Sequence, residues 1–151
     1  EFDRSSSETY DIVFTSYGVL DWLPDLPRWA NLIARHLKPG GHFYIVEFHP
    51  IFDLISGYSY FHQEVADVEE EDSYANDQNV TAEKMMTWSH SISDILNTLI
   101  EAGIEIAHFN EFPFSPFKFY EGLEEKEQGR FYVKDKKHDV PLVYSILGTK
   151  R

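Results

Sequence analysis

Two apolar runs decide the fold: Tyr10-Asp11-Ile12-Val13-Phe14-Thr15-Ser16 and His42-Phe43-Tyr44-Ile45-Val46-Glu47-Phe48, with a helix-like segment and Pro39-Gly40-Gly41 between them. Near-continuous apolar runs suit strands covered on both faces, as in a parallel sheet. Parallel neighbours need a long crossover, which is right-handed in nearly all cases. The segment supplies it. Leu26, Trp29, Ala30, Ile33 and Leu37 repeat at the spacing of one helix face. Asp25 is placed to cap that helix, Pro27 falls in its first turn, and Lys38 is expected in its last turn before Pro39-Gly40-Gly41 stops it. The unit predicts a strand–helix–strand core of a parallel α/β sheet.

Outward from this unit the pattern breaks after Pro50. Ile51 to Asn79 mixes Phe52, Tyr58, Tyr60, Phe61 and Tyr74 with Glu64, Asp67, Glu69, Glu70, Glu71, Asp72 and Asp77, in a stretch that has no Lys or Arg from 64 to 77. A long aperiodic segment inside a domain reads as a lid or insert, here placed over 51–88 within a single domain of residues 1–151. The acidic run reads as a solvated loop. Lys84-Met85-Met86-Thr87-Trp88 is expected to pair with Tyr58-Ser59-Tyr60-Phe61 as a hairpin. Order returns with Ile92, Ile95, Leu96, Leu99 and Ile100 on one helix face, a Ser91–Asp94 capping box and Gly103 as the stop. Ile104 to Phe109 reads as a strand, Phe112 to Phe117 as loop because of its two prolines, and Glu121 to Lys137 as charged surface with room for a short helix. Pro141 to Gly148 reads as the closing strand.

The formal charge of −13 argues against nucleic acid or an anionic membrane as the main partner. With no cysteine there is no disulfide framework or thiolate site, which fits a reducing cytoplasm. No apolar run approaches the ~20 residues that span a bilayer. His36, His42, His62, His90, His108 and His138 show no metal-ligand spacing. No G-x-S-x-G elbow or phosphate-binding glycine loop is present, which counts against hydrolase and nucleoside-triphosphate chemistry.

Tyr10-Asp11-Ile12-Val13-Phe14-Thr15-Ser16-Tyr17-Gly18 resembles the fourth strand and following loop of class I S-adenosylmethionine-dependent methyltransferases. Leu37-Lys38-Pro39-Gly40-Gly41 with His42 to Glu47 resembles that family's turn and fifth strand. The resemblance implies a Rossmann-like methyltransferase sheet, C-terminal half only, with the Ile104 and Pro141 strands as its sixth and seventh. It implies S-adenosylmethionine as cofactor and Ser16, Tyr17 and Gly18 as residues lining its pocket. One departure stands out: the family's glycine-rich turn after the first strand and its acidic residue after the second are absent. A chain opening in the loop Glu1 to Glu8 before a central-looking strand suggests that something upstream is missing, and the resemblance implies that it is the family's first three strands. The Tyr10–Ser16 edge is then unpaired, which favours a homodimer or pairing with a missing N-terminal half.

Glu47 and His49 fall at the rim of the second strand. His49 is a candidate general base, although its place before Pro50 also suits a turn. Methyl transfer can proceed by proximity and alignment without a base. Glu47, Tyr58, Tyr60, Phe61 and Trp88 are candidates to line a substrate pocket, and Trp22 to pack near an adenine or to brace the helix start. The resulting expectation is methyl transfer to a small molecule. The alternative is a non-catalytic interaction subunit associating through its strand edge. A dehydrogenase half is disfavoured, because the expected helix carries no Tyr-x-x-x-Lys pattern.

Overall fold

The computed structural model describes residues 7–71 and 83–151. Strand β1 (Tyr10–Thr15), helix α1 (Leu26–His36) and strand β2 (Leu37–Phe48) form the expected parallel unit, with Val13 opposite Phe43 and Thr15 opposite Ile45. Asp25 caps α1, its carboxylate accepting from the Arg28 N–H at 2.9 Å, and Pro27 sits in the first turn. The helix ends earlier than its spacing predicts. Leu37 is already extended, with φ −87° and ψ 139°, so Leu37 and Lys38 belong to β2 rather than to α1. Pro39 keeps the helix from running on, since it drives Lys38 out of the helical region and has no N–H to donate. Leu37 still enters the core, fully buried, as the first residue of a strand.

The Pro39-Gly40-Gly41 turn lies within β2 as a register break: Tyr10 faces Leu37, but Ile12 already faces His42. Gly40 has a φ of +77°, and a Cβ on the buried Gly41 would lie 2.9 Å from the Lys38 carbonyl oxygen and 3.1 Å from that of Asp11. Both obstacles are backbone. Gly41→Ala is therefore expected to cost about 1–3 kcal/mol. Gly40→Ala, which meets open space, should cost about 1 kcal/mol through its left-handed backbone alone. Urea denaturation midpoints of the two variants check the order.

Helix α2 (Ile51–Ser56) follows β2 and ends on Gly57. The Tyr58 N–H bonds back to the Asp53 carbonyl at 2.8 Å, which ties Tyr58 to that helix. Tyr58 to Phe61 consequently forms no strand. The hairpin expected there has a different partner: β3 (Asp67–Glu71) pairs antiparallel with β4 (Glu83–Thr87), so part of the acidic run is strand. Tyr74, Asp72 and Asp77, with residues 1–6, lie outside the described residues. Helix α3 (Ile92–Glu101) starts at the expected capping box. The Ser91 side chain accepts from the Asp94 N–H and the Asp94 carboxylate accepts from the Ser91 N–H, both at 3.2 Å.

Strand β5 (Ile104–Phe112) runs further than the sequence suggests, and its last residue pairs with Val143. The charged segment after it contains no helix but a hairpin of β6 (Leu123–Glu127) and β7 (Arg130–Val133), turned at Gly129. Strand β8 (Val143–Lys150) then inserts between β2 and β5, antiparallel to both, giving the order β1-β2-β8-β5. The sheet is thus mixed rather than wholly parallel. No crossover helix separates β5 from β8, so the chain re-enters at the end it left, with the Leu142 N–H on the Phe112 carbonyl at 2.8 Å.

Helices α1 and α3 cover one face and enclose the main core of Leu20, Leu26, Ala30, Ile33, Leu37, Phe43, Ile45, Ile95, Leu99, Ile104, Tyr144 and Ile146. The opposite face is covered over β8 and the end of β2 by a smaller cluster around Leu123, Leu142 and Val143. Toward β1 it is open: Ile12 is 64% and Phe14 58% exposed, and Phe14 stacks on Tyr44. No helix among the described residues is long and apolar enough to cross a membrane.

Candidate functional site

The loop leaving β1 is held by one carboxylate. Glu47, near the end of β2 and 3% exposed, accepts from the backbone N–H groups of Gly18, Val19 (2.9 Å), Leu20 (3.4 Å) and Phe48 (2.8 Å). Burial pushes its pKa up, while these amides pull it back. Glu47 therefore anchors the loop over the sheet end instead of presenting a free carboxylate to a ligand. The Tyr17 ring packs on Phe48 and Phe117, with centroids at 5.4 and 5.5 Å, and Ser16 is exposed beside it.

A 3-10 turn over Leu20–Trp22 follows, and the Asp21 carbonyl accepts from the Trp88 N–H at 2.8 Å. That bond ties the end of β4 to the loop after β1. His90 adds a second tie, its Nε2 donating to the Leu23 carbonyl at 2.7 Å. Between these segments lies a cavity of about 520 Å³, bounded by Asp21, Trp22, Phe48, Phe52, Asp53, Tyr58, Asp67, Met85, Thr87, Trp88, Ser89 and Phe119. It opens beyond the carboxyl ends of β1 and β2, where open α/β sheets bind ligands. Its volume suits a small organic molecule.

Of the residues proposed from sequence, Trp22, Tyr58 and Trp88 line this cavity. Tyr60 and Phe61 pack on one another edge to face at 5.1 Å and are not among its lining residues, and Phe61 is 66% exposed. His49 is buried beneath it. The Ile51 N–H donates to His49 Nδ1 at 3.1 Å, so the proton resides on Nε2, which donates to Glu111 at 2.9 Å. No ring lone pair is left to abstract a proton, and burial outweighs Glu111 in lowering the imidazole pKa. His49 braces the start of α2.

The sequence reading passed over the carboxylates. Burial, reinforced by Asp53 and Glu47, pushes Asp21 to about 7; burial, reinforced by Asp67 and Glu47, pushes Asp53 to about 6. The available signal was an acid inside an apolar stretch, Val19-Leu20-Asp21-Trp22-Leu23 and Ile51-Phe52-Asp53-Leu54-Ile55.

No protein-family model matches the sequence, and no curated protein does. Solved structures do. A proposed S-adenosylmethionine-dependent methyltransferase of Listeria monocytogenes superposes with a TM-score of 0.64 at 14% identity, over 99% of this chain and 65% of that one. One from Mesorhizobium loti gives 0.56 at 19% identity, over 96% and 63%. The glycopeptide N-methyltransferase MtfA, in complex with S-adenosylmethionine, gives 0.52 at 10% identity, over 97% and 56%. This chain thus spans less than two-thirds of the length of each of these structures. The order β1-β2-β8-β5, with its antiparallel β8, is the Rossmann-like sheet of the class I S-adenosylmethionine-dependent methyltransferase fold.

Proposed function

We propose that this chain is the acceptor-side portion of an S-adenosylmethionine-dependent methyltransferase acting on a small molecule. The observation that carries the reading is the aromatic, acid-lined cavity at the carboxyl ends of the parallel strands β1 and β2. When bound, S-adenosylmethionine supplies an electrophilic methyl carbon. Ser16, Tyr17 and Gly18 form one wall of its pocket, positioned through Glu47, and the cavity behind Trp22 and Trp88 orients the acceptor and excludes water. The glycine-rich turn and ribose-binding acid of the resembled family have no counterpart here, so the described residues account for part of the cofactor's envelope.

Calorimetric titration of the chain with S-adenosylhomocysteine, at a concentration where its oligomeric state is known, tests the reading. Saturable binding, weakened by Gly18→Val, is expected. A folded sample with no heat, together with a length-complete homologue that binds neither S-adenosylmethionine nor its demethylated product, would sink it.

The exposed edge of β1 favours a second reading, an interaction subunit. Ile12, Phe14 and Tyr44 expose an apolar strip next to strand hydrogen-bonding groups that no described residue pairs. Such an edge invites pairing with another strand, from a second copy or from further sequence of a longer protein. Sedimentation showing a stable monomer whose β1 amides are already protected from exchange would count against it.

A further inference from the structure

Among the described residues nothing basic lines the large cavity, yet three carboxylates do, from three separate elements: Asp21 on the 3-10 turn, Asp53 on α2 and Asp67 on β3. Around them stand Trp22, Phe52 and Trp88. A second, independent feature adjoins this floor. A smaller space of about 10 Å³ is bordered by Asp21, Asp53, Glu47 and Tyr144. The Tyr144 hydroxyl, fully buried, has no hydrogen-bond partner among the described residues. A buried polar atom without a partner costs stability, so it marks a place built to satisfy a polar guest or relay. An anionic acceptor would meet like charge here. A neutral one would leave the carboxylates uncompensated. A cation meets both carboxylate charge and ring quadrupoles.

We propose that the cavity is the subsite for a protonated small amine, held by Asp21, Asp53 and Asp67 among the rings of Trp22, Phe52 and Trp88. This rests on reading the cavity as the acceptor side of a methyltransferase. An ammonium has no lone pair and must lose one proton before it can take a methyl group. Asp21 accepts that proton: the N–H bond breaks, its electrons remain on nitrogen, and the carboxylate becomes a carboxyl. The other titratable groups facing the pair are Glu47 on β2, Asp67 on β3, His49, His90, Tyr58 and Tyr144. Burial depresses both imidazoles, so neither supplies a competing cation near neutrality.

Choline, its uncharged isostere 3,3-dimethyl-1-butanol and its anionic analogue 3,3-dimethylbutanoate are the probes, read by tryptophan fluorescence of the full 151-residue chain. Choline is expected to saturate the signal and the neutral isostere to bind about tenfold more weakly. The anion should not bind. Asp53→Asn and, independently, Asp67→Asn should each weaken choline about tenfold while leaving the circular dichroism spectrum unchanged. Because choline does not titrate, its affinity should rise from pH 5 to pH 8 as the carboxyls ionise, and Asp21→Asn should flatten that rise.

Equal binding of choline and its neutral isostere, or no saturable signal, overturns the proposal. Displacement of choline by S-adenosylmethionine also overturns it, since the cation held would then be the cofactor's sulfonium. Choline binding without any S-adenosylhomocysteine binding would sink the methyl-transfer reading and still support the cation subsite.

Discussion

Replacing Glu47 with alanine is expected to destabilise the fold by about 3–5 kcal/mol, the cost of leaving a buried cluster of polar groups without its charged partner. The side chain is almost inaccessible, and four backbone amides converge on it. Three of these belong to the loop after β1, which has no strand partner of its own at Gly18, Val19 and Leu20. Glutamine separates charge from shape. Oε1 receives Gly18 and Phe48, and Oε2 receives Val19 and Leu20. Whichever way a carboxamide is turned, its NH₂ faces two donors. Glu47→Gln is therefore expected to lose about 2–4 kcal/mol and not to rescue the alanine variant. Urea denaturation supplies the free energies, and hydrogen exchange at Gly18 and Val19 should accelerate in both variants. A glutamine variant within about 0.5 kcal/mol of the parent, the range of an ordinary surface change, would show that the loop does not depend on this carboxylate.

The role of Glu47 also marks where sequence reading stops. Local signals carried the elements whose causes are local. Asp25, Pro27 and the spacing of Leu26, Ala30 and Ile33 specify α1 without help from the rest of the chain. Ser91 and Asp94 likewise specify the start of α3. The strand pairing of β3 with β4 was missed because Asp67–Glu71 carries one apolar residue, Val68, and its partner is decided by the Tyr58 tie to α2. The antiparallel sense of β8 was missed because periodicity carries no direction; the Leu142–Phe112 hydrogen bond and the lack of an intervening helix decide it. The hairpin of β6 and β7 was missed because its Glu and Lys residues read as charged surface and masked its strands. The β1 run reads as apolar on both faces, yet one face is open among the described residues. At the site, Tyr58 and Trp88 were legible as aromatics in the insert, and Trp22 as a ring beside the start of the first helix. Asp21 and Asp53 were not, because a carboxylate's desolvation depends on which elements close over it.

Those two carboxylates give stability an unusual dependence on pH. Asp21 rises from an ordinary 3.8 to about 7 on folding, chiefly through burial. Below pH 3.8 it is protonated in the folded and unfolded chain alike, and the fold has the full benefit of a neutral buried group. Between 3.8 and about 7 the unfolded chain releases the proton while the folded chain retains it, so stability falls as pH rises. Above about 7 that contribution is gone. Asp53, raised to about 6, acts in the same direction over a narrower window. Asparagine copies the protonated carboxyl and does not titrate. Asp21→Asn is therefore expected to be more stable than the parent at pH 8 by on the order of 3 kcal/mol, and within about 0.5 kcal/mol of it at pH 4. Paired urea denaturations at the two pH values give the difference directly, and other titrating groups cancel between parent and variant. An Asp21→Asn variant that is less stable at pH 8 would mean that the ionised carboxylate is held by the fold rather than strained by it. If the expected result is found, a group that weakens the protein at neutral pH is present for another reason. A flattened rise of choline affinity with pH in the same, more stable variant would identify that reason as the capture of a cation.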